Sequence, residues 1–292
     1  MKKDVLSLAK PSFFRWTFSV FLDWFIIFTV GAAAVYSKNI FVFWIASLII
    51  GNRQHAIAFL GHDGAHRAIS KKPTFNDLWN GLLAMWPLGV GLTGYRKFHF
   101  QHHRHVGTLK DPELLHKTWA DPEFSLPLKK RKILFLLLRD LCGGGVVDIV
   151  RLVKLTPPAS VLDVVGPLMM TAFFWYVCLS TGHYEILALW YFSQISSFWA
   201  TFRLRIFIEH LGSRGTHRVR LSKPLQLIVA PHGAAFHYEH HRWPSIPCWN
   251  LEQARSYCDR EPVLTLAQLI SKFENQATLP SGALPPTLDK AV

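Results

Sequence analysis

Apolar residues fill this chain in long blocks rather than in the narrow stripes that soluble helices carry. A helix of about 20 apolar residues crosses a bilayer, and four stretches reach that length: 14–36, 40–60, 161–181 and 184–202. Three residues separate the first two and two residues separate the last two, so the pattern predicts two helical hairpins. Asp23 interrupts the first block and Arg53 the second; a charge inside a span is costly and faces protein or a polar cavity. Two weaker apolar stretches, 78–92 and 133–150, are broken by glycines and read as interfacial or re-entrant helices. The expectation is an all-α, polytopic membrane protein: four transmembrane helices in two hairpins, interfacial helices, and a histidine-rich cytoplasmic cap. Residues 1–276 would form one membrane domain, with 61–160 and 203–276 as its cap. The end from 277 to 292, rich in Pro, Ser, Gly and Thr, is expected to be a mobile tail.

Composition agrees with a membrane protein. Half of the 292 residues are hydrophobic, 14% are aromatic and only 17% are charged. A net charge of +13 would suit a nucleic-acid partner, but the basic residues form no RNA-binding signature and fall between the apolar blocks. Anionic headgroups and the positive-inside rule account for them, and no nucleic acid is expected. Lys and Arg number four through Arg15, fifteen over 61–160 and eleven from Arg203 onward, against Lys38 alone on the opposite side and Arg53 inside a span. That bias predicts both termini and the middle loop on the cytoplasmic face. The first apolar run is followed by no small-residue cleavage site and is expected to stay as a span. Cys142, Cys178, Cys248 and Cys258 form no CxxC pair and read as reduced thiols.

Nine histidines in four clusters change the picture: His62 and His66 in HDGAH; His99, His102 and His103 in HFQHH; His210 in EHLG; His237, His240 and His241 in HYEHH. Spacings of three and four bring imidazoles to one helical face, and imidazole is the commonest protein ligand for transition metals. All nine fall on the predicted cytoplasmic side, beyond the ends of the second and fourth blocks. Such a site suits iron, copper, zinc or nickel. A zinc hydrolase needs about three protein ligands, so nine fit two redox metals better, and two irons could reduce O2 to an oxidant able to break an unactivated C–H bond. Asp111 could orient a ligand histidine through its free ring nitrogen. Arg205 and Glu209, four apart, can pair, and Glu209 is a natural anchor for an imidazole. Asp63 and Glu239 stand beside the clusters. His55 reads as a hydrogen-bonded packing residue with Arg53, Gln54 or Asp63 as partner. His116 and His183 read as outside the site, His217 as structural, His105 as a surface residue or a support to the ligands, and His232, five residues before His237, as a weak candidate. A metal transporter or sensor would need polar residues through its spans, and these spans carry few.

Taken together, HDGAH at 62–66, HFQHHRHVGTLKDP at 99–112, EHLG at 209–212 and HYEHHRWPSIP at 237–247 resemble the membrane fatty acid desaturase superfamily, of the integral-membrane, non-heme di-iron type. The resemblance covers nearly all of the chain except its tail. It implies that the nine histidines bind two iron ions, that O2 is co-substrate, and that the transmembrane helices form an acyl-chain tunnel. The function it implies is insertion of a double bond into a long acyl chain in the membrane. With no flavin or nicotinamide fingerprint, electrons would come from a separate donor, such as ferredoxin or a b5-type cytochrome with its reductase. The HHRHxGTxxDP run and the last box are also similar to those of carotenoid ketolases, so a hydroxylase or ketolase of an acyl lipid or carotenoid is the alternative.

Overall fold

A computed structural model of the protein describes residues 2–108, 110–114, 126–213, 215–257 and 262–276. The tail from 277, His116 and Cys258 lie outside these residues. Apart from one two-residue parallel pair, β1 (Val219–Arg220) with β2 (Leu264–Thr265), the regular elements are helical.

After the short α1 (Lys2–Leu6), the first two apolar blocks form α2 (Phe13–Ser37) and α3 (Ile40–Ala65). Their link consists of two caps set back to back. Lys38 ends α2 in the left-handed conformation at φ 50°, and the Asn39 side chain accepts from the Phe41 N–H at 2.8 Å to start α3. The two helices share the most extensive contact in the structure. The Trp16 indole donates to the Leu60 carbonyl across 2.9 Å, and Arg53 pairs with the buried Asp23 at 3.1 Å. The charges within the two spans therefore answer each other. Phe14, Phe18, Phe25 and Phe28 stay exposed on the other side of α2, as a lipid-facing surface would be.

Among the described residues, three helices are long and apolar enough to cross a membrane: α2, α3 and, from the third block, α9 (Leu162–Ser180). The fourth block is helical throughout but not one α-helix. It comprises α10 (Tyr184–Ser193), a π turn at Gln194–Phe198 and α11 (Trp199–Glu209). The physical reason lies opposite, at Gly51 of α3, where a Cβ would stand 2.6 Å from both the Phe198 nitrogen and the Ser193 carbonyl. Glycine lets the bulged turn rest on α3, and the Ser197 hydroxyl donates to the Ser47 carbonyl at 2.6 Å.

The weaker apolar stretches are broken where glycines predicted. The first runs from α4 (Pro73–Asn80) through a π turn at Gly81–Met85 to a 3-10 turn at Trp86–Leu88. After α5 (Leu92–His105) and the single turn α6 (Pro112–Leu114), the second comprises α7 (Lys130–Arg139), a π turn at Asp140–Gly144 and α8 (Val146–Leu155). Arg203, 1% exposed, reaches from α11 to both Asp140 and Asp148, fastening this second stretch to the fourth block. The chain finishes with α12 (Lys223–Val229), α13 (His237–Arg242), α14 (Cys248–Ala254) and α15 (Leu266–Asn275).

Candidate metal centre

α3 continues five residues past the predicted end of its span, and that extra turn and a half carries the first histidine pair. His62 lies on the last turn and His66 caps it. The turn is held from outside: Asn76 and Asn80 donate side-chain N–H groups to the carbonyls of Gly64 and Gly61 at 2.8 and 2.9 Å. Arg96 of α5 donates to the Ala65 carbonyl at 2.9 Å and clasps Asp77 with both guanidinium ends. These bonds tie the end of α3 to α4 and set α5 beside it. None of Asn76, Asn80 and Arg96 was singled out from sequence, because each acts through distant backbone.

α5 offers His99 and His103 on one line and His102 one residue to the side; α11 ends at His210; α13 supplies His237, His240 and His241. The nine separate into two groups. His62, His66, His99, His103 and His240 form the first, and His102, His210, His237 and His241 the second; within each, one ring nitrogen per residue lies within 4.8 Å of all the others. Adjacent residues thus part company: His102 and His103 serve different groups, as do His240 and His241.

The facing nitrogens are too numerous for hydrogen bonds alone. Nε2 of His99 is 2.9 Å from Nε2 of both His66 and His103, and His103 Nε2 is 3.0 Å from His240 Nε2. In the second group, His237 Nε2 meets His210 at 2.9 Å and His241 at 3.0 Å, and His241 meets His102 at 3.2 Å. Each ring nitrogen has one hydrogen or one lone pair, so a nitrogen facing two others satisfies only one of them. A cation at the focus satisfies all. Two nitrogens bound about 2.1 Å from one ion at right angles lie about 3 Å apart, which is the observed spacing. The donor set therefore fits a metal in each group.

Burial keeps several of these rings in the neutral form that binds metal. It pushes His66 down to about 3, with Arg96 adding to the effect, and His103 down to about 2, with His66 and His102 next in weight. His99, His237, His240 and His241 are held well below the usual histidine range, by burial first and by neighbouring rings second.

Around the nine, Asp111 accepts from His102 Nδ1 at 2.9 Å and from the backbone N–H groups of Gly107 and Glu113. Arg205 donates to Glu209 at 2.6 Å, and the same carboxylate oxygen stands 3.6 Å from His237 Nδ1. Glu239 faces Arg218 at 2.9 Å and Arg255 at 3.5 Å, bracing α13 from behind. Asp63 accepts the Cys248 N–H at 3.2 Å, tying α3 to the start of α14. A partner that sequence could not offer is the Gly215 carbonyl, which accepts from His210 Nδ1 at 2.8 Å.

The remaining histidines stand apart. His105 belongs to neither group. His183 pairs with Glu185, His217 donates through Nε2 to the Leu211 carbonyl at 2.7 Å, and His232 meets Asp23 at 2.6 Å. His55 differs from expectation: neither ring nitrogen has a hydrogen-bond partner among the described residues. The three residues predicted to serve it are engaged elsewhere, Arg53 with Asp23, Gln54 with the Trp190 carbonyl, and Asp63 with Cys248.

Both groups border one cavity of about 490 Å³. Its walls beyond the histidines are mostly apolar, including Leu88, Val90, Leu152, Phe198, Phe202 and Ile206. Tyr95 lies flat against His99, ring centres 5.5 Å apart, and also faces the cavity.

Comparison with known proteins bears on this geometry. The sequence profile described as fatty acid desaturase matches residues 38–266. A dihydrorhizobitoxine desaturase of Bradyrhizobium elkanii is 23% identical over 241 residues, 75% of this chain and 68% of that one. An sn-1 acyl-lipid omega-3 desaturase (ferredoxin) of Nostoc sp. (strain 36) is 30% identical over 122 residues, 42% of this chain and 34% of its own length. A beta-carotene ketolase of Paracoccus sp. (strain N81106 / MBIC 01143) is 24% identical over 213 residues, covering 68% of this chain and 74% of the ketolase.

Proposed function

The chain belongs to the fatty acid desaturase family of oxidoreductases, and from that premise we propose that it is an O2-dependent di-iron oxidase that introduces a double bond into a long acyl chain in the membrane. The observation that carries the reading is that two imidazole groups border one largely apolar cavity. Bound there, a pair of irons would supply reductive activation of O2 and removal of hydrogen from unactivated carbon.

In this reading the five-histidine group holds one ion and the four-histidine group the other. Asp111 keeps the Nδ1 hydrogen on His102 and frees its Nε2 for metal, and the Gly215 carbonyl does the same for His210. The apolar wall seats the chain by burial and excludes water from the reacting carbons. Residues 1–276 act as one domain, α10 and α11 with their π turn make the fourth crossing, and both termini and the metal centre face the cytoplasm; the distribution of Lys and Arg supports that orientation. Electrons come from a separate carrier, and the ferredoxin in the name of the Nostoc relative supports a donor of that kind.

A second reading, hydroxylation or ketolation of an acyl lipid or carotenoid, is favoured by the ketolase match, which spans more of this chain than the acyl-lipid desaturase match does. Expression in a host of known lipid composition, with mass spectrometry of extracted lipids, separates the two. Desaturation removes two hydrogens from a product, whereas the second reading adds oxygen. A lipid profile unchanged by an iron-loaded protein with reductant supplied would refute both.

A further inference from the structure

His55 lies on α3 seven residues before His62, so about 10 Å from it along the helix axis. It is fully buried, at 0% exposure, and lines the cavity. Phe198 and Phe202 stand edge-on to its ring at 6.0 and 6.3 Å, contacts that use none of its polar atoms. Both ring nitrogens lack a partner among the described residues. His99, His103 and His237 turn Nε2 to a metal focus and leave only Nδ1 unpartnered, whereas both nitrogens of His55 are open and it belongs to neither group, so no ion there can satisfy it. Among its charged and polar neighbours, Arg53 and His232 are occupied by Asp23 and Arg205 by Glu209, while the Gln54 amide nitrogen donates to the Trp190 carbonyl and its Oε1 makes no hydrogen bond to His55. An unpaired buried N–H is costly, and a plain hydrocarbon chain would leave it unpaired.

We propose that His55 is a specificity-determining residue: it hydrogen-bonds an oxygen function, a hydroxyl or a carbonyl, carried on the substrate chain about two helical turns from the metal centre. The inference rests on the cavity being the substrate site, and it narrows the substrate to oxygenated long chains. A neutral imidazole donates from one nitrogen and accepts at the other, so it accommodates a hydroxyl in either sense and a carbonyl through its N–H.

The test uses the iron-loaded full chain in lipid nanodiscs, anaerobic and without reductant, so that binding is read without turnover. The probes are stearate, a series of mid-chain hydroxystearates and the matching oxostearates, each competing with a fluorescent long-chain fatty acid. At least one oxygenated probe is expected to bind roughly three- to tenfold more tightly than stearate, the worth of one net hydrogen bond. His55→Gln, which keeps a donor, should retain the preference. His55→Phe should lose it, the ratio of oxygenated-probe to stearate affinity within the variant falling to about one; if the larger ring is not accommodated, His55→Leu serves the same comparison. Equal binding of all probes by the wild type, as a water-filled polar site would give, overturns the proposal, and so does a preference that survives in His55→Phe or His55→Leu. A preference without any oxidised product in later turnover would instead remove the oxidase reading and leave this one standing.

Discussion

A histidine binds a metal through one nitrogen, and the partner of the other nitrogen decides which. His102 takes its orientation from Asp111, a residue legible in the sequence because a carboxylate follows the cluster within one loop. His210 takes its own from a backbone carbonyl, which no side-chain pattern could announce. Asp111→Asn should weaken metal retention by roughly 10- to 100-fold, read by chelator competition against iron content; undiminished retention would remove Asp111 from that role. His62→Ala, His103→Ala or His241→Ala should release iron and abolish product while the protein still inserts, whereas His105→Ala should leave both near wild type. His217 makes a different point. Its ring is pushed by burial down to about 4 from an ordinary 6.5. As pH falls below 6.5 the unfolded chain takes up a proton that the folded chain refuses until about 4, so this residue lowers stability across that window. His217→Gln, which keeps a donor for the Leu211 carbonyl, should flatten the pH dependence of thermal unfolding between those limits. A variant with the wild-type slope would show that His217 contributes nothing to it.

At the scale of elements, three apolar blocks were readable as long helices because length and composition alone set them. The fourth was readable as helix but not as a bulged one, since the cause, Gly51, sits in a different block and acts through close approach. The glycine-broken stretch around α7 and α8 was readable in outline, yet its anchoring was not: Arg203 counts toward the charge of the tail in the sequence and is buried between two carboxylates in the fold. Removing one member of a buried charged set costs up to about 3–5 kcal/mol, here lessened because Arg139 stays on Asp140 at 2.8 Å. Arg203→Ala should therefore lower the thermal unfolding temperature markedly; a shift within error would mean that Asp140 and Asp148 do not depend on it.

For the whole molecule, the nine histidines were visible as a set because each cluster is local, but their division into five and four was not. That division depends on how α3, α5, α11 and α13 meet, and sequence spacing gives identical signals for residues that end in different groups. The proposed orientation can be checked across the same assembly. In a Cys142→Ser background, Lys38→Cys should react with a membrane-impermeant maleimide on intact cells, and Lys223→Cys, an exposed position, only after permeabilisation. The reverse pattern would invert the topology drawn from charge.

Because His240 completes the first group while His237 and His241 complete the second, neither nest of imidazoles is complete until the ribosome has made α13. A nascent protein stalled earlier would present only fragments of each cage. A truncated product lacking α13 would keep four of the five rings of the first group but two of the four of the second, so the cage nearer completion before α13 is the five-histidine one.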